Sequence, residues 1–330
     1  MARPALARTT FEDWAQEWMA TTVHLRPATR ALYEYLLRCH VLPRFGVVQL
    51  GRITPVDVRA WLAERRSTGL SPSTVREAFR VLSGALRAAI ECGLLGHSPC
   101  ASIKPPPEPT HDMRFLSAQE VAELAETVGP DYQALVYTAA STGLRWGELA
   151  GLRRKHVDLL HRTIAVVEQL TEVNGTLAFG PPKTKAGQRR VTLPRFVADH
   201  LQRQAAERSE PGPDGLVFPA REGGPMRRSN FNRRAWAPAI RACGLEGLRF
   251  HDLRHTAVAL AVAGRRAPAS AHGAHRPPSI TVTLGRYGHL LPGQDEALAD
   301  RLDHAQRKAE EPSATLEPRT QLSLIPFPDG

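Results

Sequence analysis

Three clusters of polar residues in this chain have the types and spacing for chemistry. Arg145 follows Thr142-Gly143-Leu144 directly after an apolar run, ALVYTAAST, so it emerges at a helix end with Glu148 one turn further on. His251 and Arg254 lie three apart in FHDLRHT, a spacing that puts both on one helix face and aims them at one ligand. Tyr287 sits in ITVTLGRYGHLLP between Arg286 and His289. Each alone has a plain alternative: a structural Arg145–Glu148 ion pair, an H-x-x-R of no consequence, a tyrosine packed near a domain's end. Together they make a phosphodiester site. Two arginines give forked hydrogen bonds to the non-bridging oxygens of one phosphate and hold the charge that builds in a pentavalent transition state. A phenol of pKa about 10 is a weak nucleophile at neutral pH, so it needs that electrostatic help and a base nearby.

A chain of 330 residues, 42% hydrophobic and 23% charged, is long enough for two domains and too apolar to be wholly disordered. Its formal net charge of +10 makes a polyanion the natural partner, because neutralising phosphates releases condensed counterions. Basic membrane-surface chains share that charge, so the motifs must decide. The sequence has no apolar run of transmembrane length and its start lacks a secretory core, which predicts a cytosolic protein. Four cysteines, Cys39, Cys92, Cys100 and Cys243, are widely spaced without a C-x-x-C pair or zinc-ligand His spacing, and are read as buried thiols.

Residues 10 to 100 read as helices. Trp14 and Trp18 sit four apart, and Leu32, Tyr33, Leu36 and Leu37 follow at helical steps, the period of a buried stripe. Thr54-Pro55 and Ser71-Pro72 each place a capping residue before a proline at the first helical position, which predicts helix starts near 55 and 72. The second of these helices carries Val75, Phe79, Leu82 and Leu86 on one face and Arg76, Arg80 and Arg87 away from it. Those arginines are either a solvated face or phosphate contacts. Gly93 and Pro99 close the helical region, and KPPPEPTHD, Lys104 to Asp112, reads as a stiff linker. Beyond it, Ser117 and Glu120 form a capping box behind a hydrophobic residue. RTIAVVEQL and RRVTLP are β-branched strands with Asn174-Gly175 as a hairpin turn, and LVF, Leu216 to Phe218, is a short strand among loops. Helices resume at Ser229, and the end of the chain is polar and then proline-rich.

The order TGLRWGEL, PPKTKAGQRRVTLP, FHDLRHT and a late tyrosine in ITVTLGRYGHLLP resembles the catalytic domain of tyrosine recombinases, specifically phage integrases of actinobacterial prophage type. WAQEW, LRPATRALYEYLLRCHVLPRFG and LSPSTVREAFRVLSGALRAAI resemble the core-DNA-binding domain of the same family, so the resemblance spans roughly residues 10 to 302. It implies a mainly α fold with a small antiparallel sheet (α+β): a SAM-like helical core-binding domain over 1–104, a linker over 105–114, a catalytic domain over 115–302 and a flexible tail over 303–330.

The resemblance also implies roles. Arg145 and Arg254 match the phosphate-clamping arginines, Lys183 the lysine that protonates the leaving 5′ hydroxyl, His251 a general acid or base, and Tyr287 the nucleophile of a 3′-phosphotyrosyl link. Glu148 stands behind Arg145, and Arg76, Arg80 and Arg87 are candidate DNA contacts. Lys185 rivals Lys183, since strand alternation in a hairpin would put both on one face. The implied function is site-specific DNA recombination that integrates or excises a phage or mobile element, with no metal, nucleotide or other cofactor. The implied partners are double-stranded attachment sites, a homotetramer on paired sites, and DNA-bending or directionality proteins. The setting is the bacterial cytoplasm, on the nucleoid.

One segment departs from the family pattern. Where a helix, a turn and a second helix with an L-G-H motif are expected, the chain has GRRAPASAHGAHRPP, Gly264 to Pro278, rich in Gly, Ala and Pro with no apolar stripe. The separation from Arg254 to Tyr287 is normal, which is what two compensating frameshifts would give. Three readings remain open: an active site that uses His275, an error in the gene sequence, or a damaged enzyme that only binds DNA. A type IB topoisomerase shares the nucleophile chemistry, but the phage-type motifs and core-binding domain argue against it. Many relatives also carry an arm-site domain before the core-binding domain. Ten residues cannot hold one, so either the start is misassigned or the chain is of a short type.

Overall fold

The computed structural model describes residues 9–105, 107, 114–182, 185–263, 299–300, 302–304 and 306–307. Lys183, His275 and Tyr287 lie outside them, as do the Gly264–Pro278 segment, most of the linker and the last residues of the chain. The chain forms two compact units, residues 1–112 with 171–178, and 113–170 with 179–330.

The first unit is built on α1 (Phe11–Thr21), α2 (Pro27–Leu36), α3 (Leu42–Phe45), α4 (Pro55–Ser67) and α5 (Pro72–Glu91), with a π-helical turn over Leu37–Val41 joining α2 to α3. The starts at 55 and 72 form as the sequence predicts. Thr54 and Asp57 exchange side-chain and backbone hydrogen bonds in a full capping box, and Ser71 accepts from the Thr74 amide. The core holds Phe11, Phe45, Trp61, Leu82 and Leu86, and the indole N–H groups of Trp14 and Trp61 donate to the carbonyls of Ala85 (2.8 Å) and His40 (2.9 Å). Of the stripe expected on α2, Leu36 and Leu37 are buried but Leu32 is 43% exposed, because the helix enters the core only at its last turn. Trp18 is partly buried and stacks on Tyr33. On α5, Val75, Phe79, Leu82 and Leu86 all face the core. Arg76, Arg80 and Arg87 fall within an arc of about 40° at 100° per residue. Arg80, which pairs with Glu77, and Arg87 are exposed, and Arg76 is half-buried.

The second unit is centred on α7 (Gln133–Thr142), whose residues Ala134 to Ala140 are all buried. Around it pack α6 (Ala118–Thr127), α9 (Arg195–Glu207) and α12 (Asp252–Ala263). Between them in sequence run α8 (Trp146–Ala150), β1 (Val157–Asp158), β2 (Thr163–Val166), β3 (Gln169–Val173), β4 (Thr176–Gly180) and β5 (Arg189–Thr192), of which the outer part of the β3–β4 hairpin, residues 171–178, groups with the first unit. After α9 come α10 (Arg228–Phe231) and α11 (Ala237–Ala242), joined by a π-helical turn over Asn232–Trp236. The capping box of Ser117 and Glu120 opens α6 over a buried Leu116. Two small antiparallel sheets form, β1-β2-β5 and β3-β4, with Ile164 facing Val191 in the first. Among the described residues no helix is long and apolar enough to cross a membrane.

Several local expectations are corrected. RTIAVVEQL is not one strand: it breaks at Val167-Glu168 and its halves, β2 and β3, join different sheets. Asn174-Gly175 does turn a hairpin, with φ of 49° and 78° at the two positions, but the hairpin is β3–β4. The stretch from Gly180 to Arg189 therefore links two sheets, and Lys185 opens a 3-10 turn, Lys185–Gly187, where strand alternation does not hold. Leu216, Val217 and Phe218 are buried but meet Leu152 and Arg153 only through an isolated bridge, too short a contact for a strand. Cys100 is buried and its thiol pushed up to about 11 by that burial, but Cys92 is exposed at the end of α5.

Candidate phosphodiester site

TGLRWGEL becomes a sharp joint between two helices. Gly143 ends α7 in the left-handed region (φ 64°), a conformation that costs an L side chain about 1–2 kcal/mol. Arg145 then caps α8, its backbone N–H donating to Glu148 Oε2 (2.9 Å) and its Nη1 to Glu148 Oε1 (3.0 Å). Gly147 lets α8 press against β3, since a Cβ there would stand 2.5 Å from the Leu170 carbonyl oxygen. Leu144 and Leu149 are buried on the core side, which leaves the Arg145 side chain half exposed on the other.

Glu148 lies beneath that arginine with 1% of its side chain exposed. From β5, Arg189 forks onto it, Nη1 to Oε1 (3.2 Å) and Nη2 to Oε2 (2.9 Å), and also donates to the Gly187 carbonyl. Burial pushes the Glu148 carboxyl up, but the Arg189 fork and the Arg145 N–H outweigh it and hold the group below its ordinary range. It is ionised at neutral pH.

FHDLRHT forms the first turn of α12 and the residues before it. Phe250 is buried in an aromatic cluster with Trp146, Phe231 and Trp236, with ring centroids 4.9–6.1 Å apart, which ties α12 to α8 and α10. Buried Asp252 accepts a fork and a backbone N–H from Arg249, and buried Thr256 accepts from the Leu116 N–H. These contacts hold the helix start, and Arg254 reaches from it to the C-terminus of α7, donating from Nη1 to the Gly143 carbonyl at 2.6 Å. Burial first, and then the charges of Arg145 and Arg189, press the Arg254 pKa below its ordinary value, with Glu148 partly offsetting them. Two guanidiniums thus bond one carboxylate and a third, that of Arg254, lies close enough to feel all three charges, which leaves positive charge in excess and suits the region to an anion.

His251 stands at the mouth of α12, edge to face with His255 at 5.6 Å. His251 keeps an exposed face, but partial desolvation, and then His255 and Arg254, push its imidazole below the ordinary value, so it is neutral at pH 7 and able to accept a proton. The structure therefore brings Arg145, Glu148 and Arg254 into one region, and His251, expected on one helix face with Arg254, instead lies in the turn just before α12, where Arg254 is its nearest link to that region. The sequence reading missed Arg189, whose only signal is its place in QRRVTLP, and His255, whose Nδ1 is buried with no hydrogen-bond partner among the described residues. Also among the described residues, no group of His, Cys, Asp and Glu is arranged to hold a metal ion.

Comparison with known proteins is consistent along the chain. The model of the phage integrase family matches residues 114–283, and that of the phage integrase N-terminal SAM-like domain matches residues 10–66. The putative prophage phiRv2 integrase of Mycobacterium tuberculosis H37Rv is 29% identical over 293 residues, 88% of this chain and 76% of that protein. The integrase of Mycobacterium phage D29 is 30% identical over 264 residues, 78% of this chain and 69% of that one. Among solved structures, the Tn1549 transposon integrase in complex with a circular intermediate DNA shares the fold with a TM-score of 0.68 at 23% identity, over 78% of this chain and 88% of that one. A lambda integrase dimer bound to a COC′ core site does so at 0.58 and 14% identity, over 94% and 100%.

Proposed function

Since the chain belongs to the phage integrase family of tyrosine recombinases, and is accordingly a site-specific DNA recombinase, we propose that it cleaves and rejoins DNA through a 3′-phosphotyrosyl intermediate on Tyr287. The observation that carries this reading is the convergence of Arg145 and Arg254 beside the Glu148–Arg189 pair, with neutral His251 at its edge.

The chemistry follows from those positions. Arg145 and Arg254 hold the non-bridging oxygens of the scissile phosphate. Tyr287 Oη attacks phosphorus, giving up its proton to His251, while the bond to the 5′ oxygen breaks and Lys183 supplies that oxygen with a proton. The energy of the phosphodiester stays in the phosphotyrosyl bond, and the 5′ hydroxyl of a second strand attacks it in the reverse sense to rejoin the DNA. Residues 115–302 form the catalytic domain and 1–104 the core-binding domain, with 105–114 the linker between them and 303–330 a tail whose first residue, Asp303, is not free as a flexible tail would be but buried against the start of α9. Arg76, Arg80 and Arg87 contact backbone phosphates. Two duplex attachment sites and four copies of the chain assemble for the exchange, as in the lambda integrase tetramer bound to a Holliday junction, and DNA-bending or directionality proteins bias it. His275 is the candidate to complete the site from the Gly264–Pro278 segment.

Covalent trapping tests this reading. The protein is incubated with fragmented DNA from its source and denatured with detergent, and the DNA ends joined to protein are sequenced, with Tyr287→Phe as control. Adducts at one recurring sequence, absent from the control, are expected. Intact DNA binding without adducts would favour a remnant that only binds DNA.

A further inference from the structure

We propose that Arg189 is a positioning residue of the recombination site: by forking onto Glu148 it locks and neutralises the carboxylate that aims Arg145, which keeps the Arg145 charge available to the phosphodiester. This rests on the function proposed above and gives a role to a residue that none of the catalytic assignments uses.

The geometry supports it in three ways. First, the Glu148 carboxylate accepts four N–H groups, two from Arg189 and two from Arg145, which fills the roughly four lone-pair sites of a carboxylate and leaves it no freedom to rotate. Second, the charges divide unequally. Arg189 gives both of its bonds to Glu148 from the guanidinium and is 28% exposed, whereas Arg145 gives one from the guanidinium and one from the backbone and is 47% exposed. Arg189 is thus the carboxylate's counter-ion, and Arg145 the arginine turned outward. Third, a Glu148 paired with Arg145 alone would cancel the charge that has to meet the phosphate, and ion pairing is strong where the carboxylate is as buried as this. The extra bond from Arg189 to the Gly187 carbonyl also ties the Lys185–Gly187 turn to the site.

Acting through Glu148 has a signature that direct phosphate contact does not: the effect of losing Arg189 depends on the carboxylate being present. The test uses the full chain and a nicked duplex carrying the sequence recovered by trapping, with single-turnover formation of the Tyr287 adduct at saturating protein as the rate and gel-shift titration as the affinity. Arg189→Gln is expected to slow adduct formation about tenfold or more, with affinity changed less than about threefold. In a Glu148→Gln background, where no buried negative charge is left uncompensated, the same change should cost less than about threefold. Arg189→Lys, which restores charge without the fork, should recover part of the rate and carries the comparison if the Gln variant unfolds early by tryptophan fluorescence.

Losses that multiply in the double variant would make Arg189 a direct phosphate ligand and overturn the proposal. A fall in melting temperature with an unchanged rate per folded molecule would overturn it too, leaving Arg189 a structural role. Wild-type protein that forms adducts while Arg189→Gln keeps pace defeats the inference alone; wild-type protein that forms none defeats the proposed function with it.

Discussion

Replacing Gly143 by alanine tests the joint on which the site is built. The backbone there sits at φ 64°, and a Cβ would meet Ala257 Cβ and Arg254 Cγ at 3.5 Å, ordinary contact distances. Sterically the methyl fits, so the cost is conformational, about 1–2 kcal/mol for an L residue in the left-handed region. The new contacts return only about 0.1–0.2 kcal/mol each. Relaxing the strain swings the Gly143 carbonyl that receives Arg254 Nη1, so the arginine loses its anchor. A net loss of about 1–2 kcal/mol is roughly a 5- to 30-fold shift in a local opening equilibrium. Hydrogen exchange read by mass spectrometry on peptides spanning residues 136–147 measures that shift, and single-turnover adduct formation measures the site. Gly129→Ala is the control, with φ 89° and nothing within 4 Å of its Cβ. It carries comparable strain away from Arg254. Both variants should lose protection locally, and Gly143→Ala should lose at least tenfold more cleavage than Gly129→Ala. Equal cleavage in the two would show that the Gly143 carbonyl does not hold Arg254, and undiminished protection at residues 136–147 would refute the strain.

Other expectations follow from single contacts. Glu148 is held below its ordinary value of 4.5, so its ion pairs contribute stability that is complete above that pH and lost as pH falls through the lowered value; Glu148→Gln should flatten the stability-against-pH curve below about pH 4.5, measured by thermal melts in a pH series. Asp303 accepts the Arg195 and Phe196 amides at 2.8 and 2.9 Å, capping α9 from more than a hundred residues away. Asp303→Ala should destabilise the second unit by about 1–2 kcal/mol, and Asp303→Asn by less, as read by denaturant melts of circular dichroism. Trp61→Phe keeps most of the ring but leaves the His40 carbonyl without its indole donor. A loss of about 1–3 kcal/mol is expected in the first unit, and a melt matching wild type would mean that water replaces the bond.

The caps and joints were legible in the sequence because they are local. Thr54-Pro55, Ser71-Pro72 and Ser117 to Glu120 settle their helix starts within four residues, and Asn174-Gly175 needs only its own two left-handed positions to turn a hairpin. Arg145, Glu148, His251 and Arg254 could be named for a related reason: their motifs combine the polar group with the glycine or aromatic residue that sets it in place. Tertiary structure decided what depends on distance along the chain. It split RTIAVVEQL between two sheets, since a run of β-branched residues carries no mark of which partner it will find. It left Leu32 exposed, because helical periodicity gives a face but not the depth at which the helix meets the core. It also set Arg189 on Glu148, 41 residues apart, and Asp303 on the start of α9. A lone arginine or aspartate in sequence says nothing of the carboxylate or backbone amides it will meet. Only the folded chain, by burying one partner, makes the other obligatory.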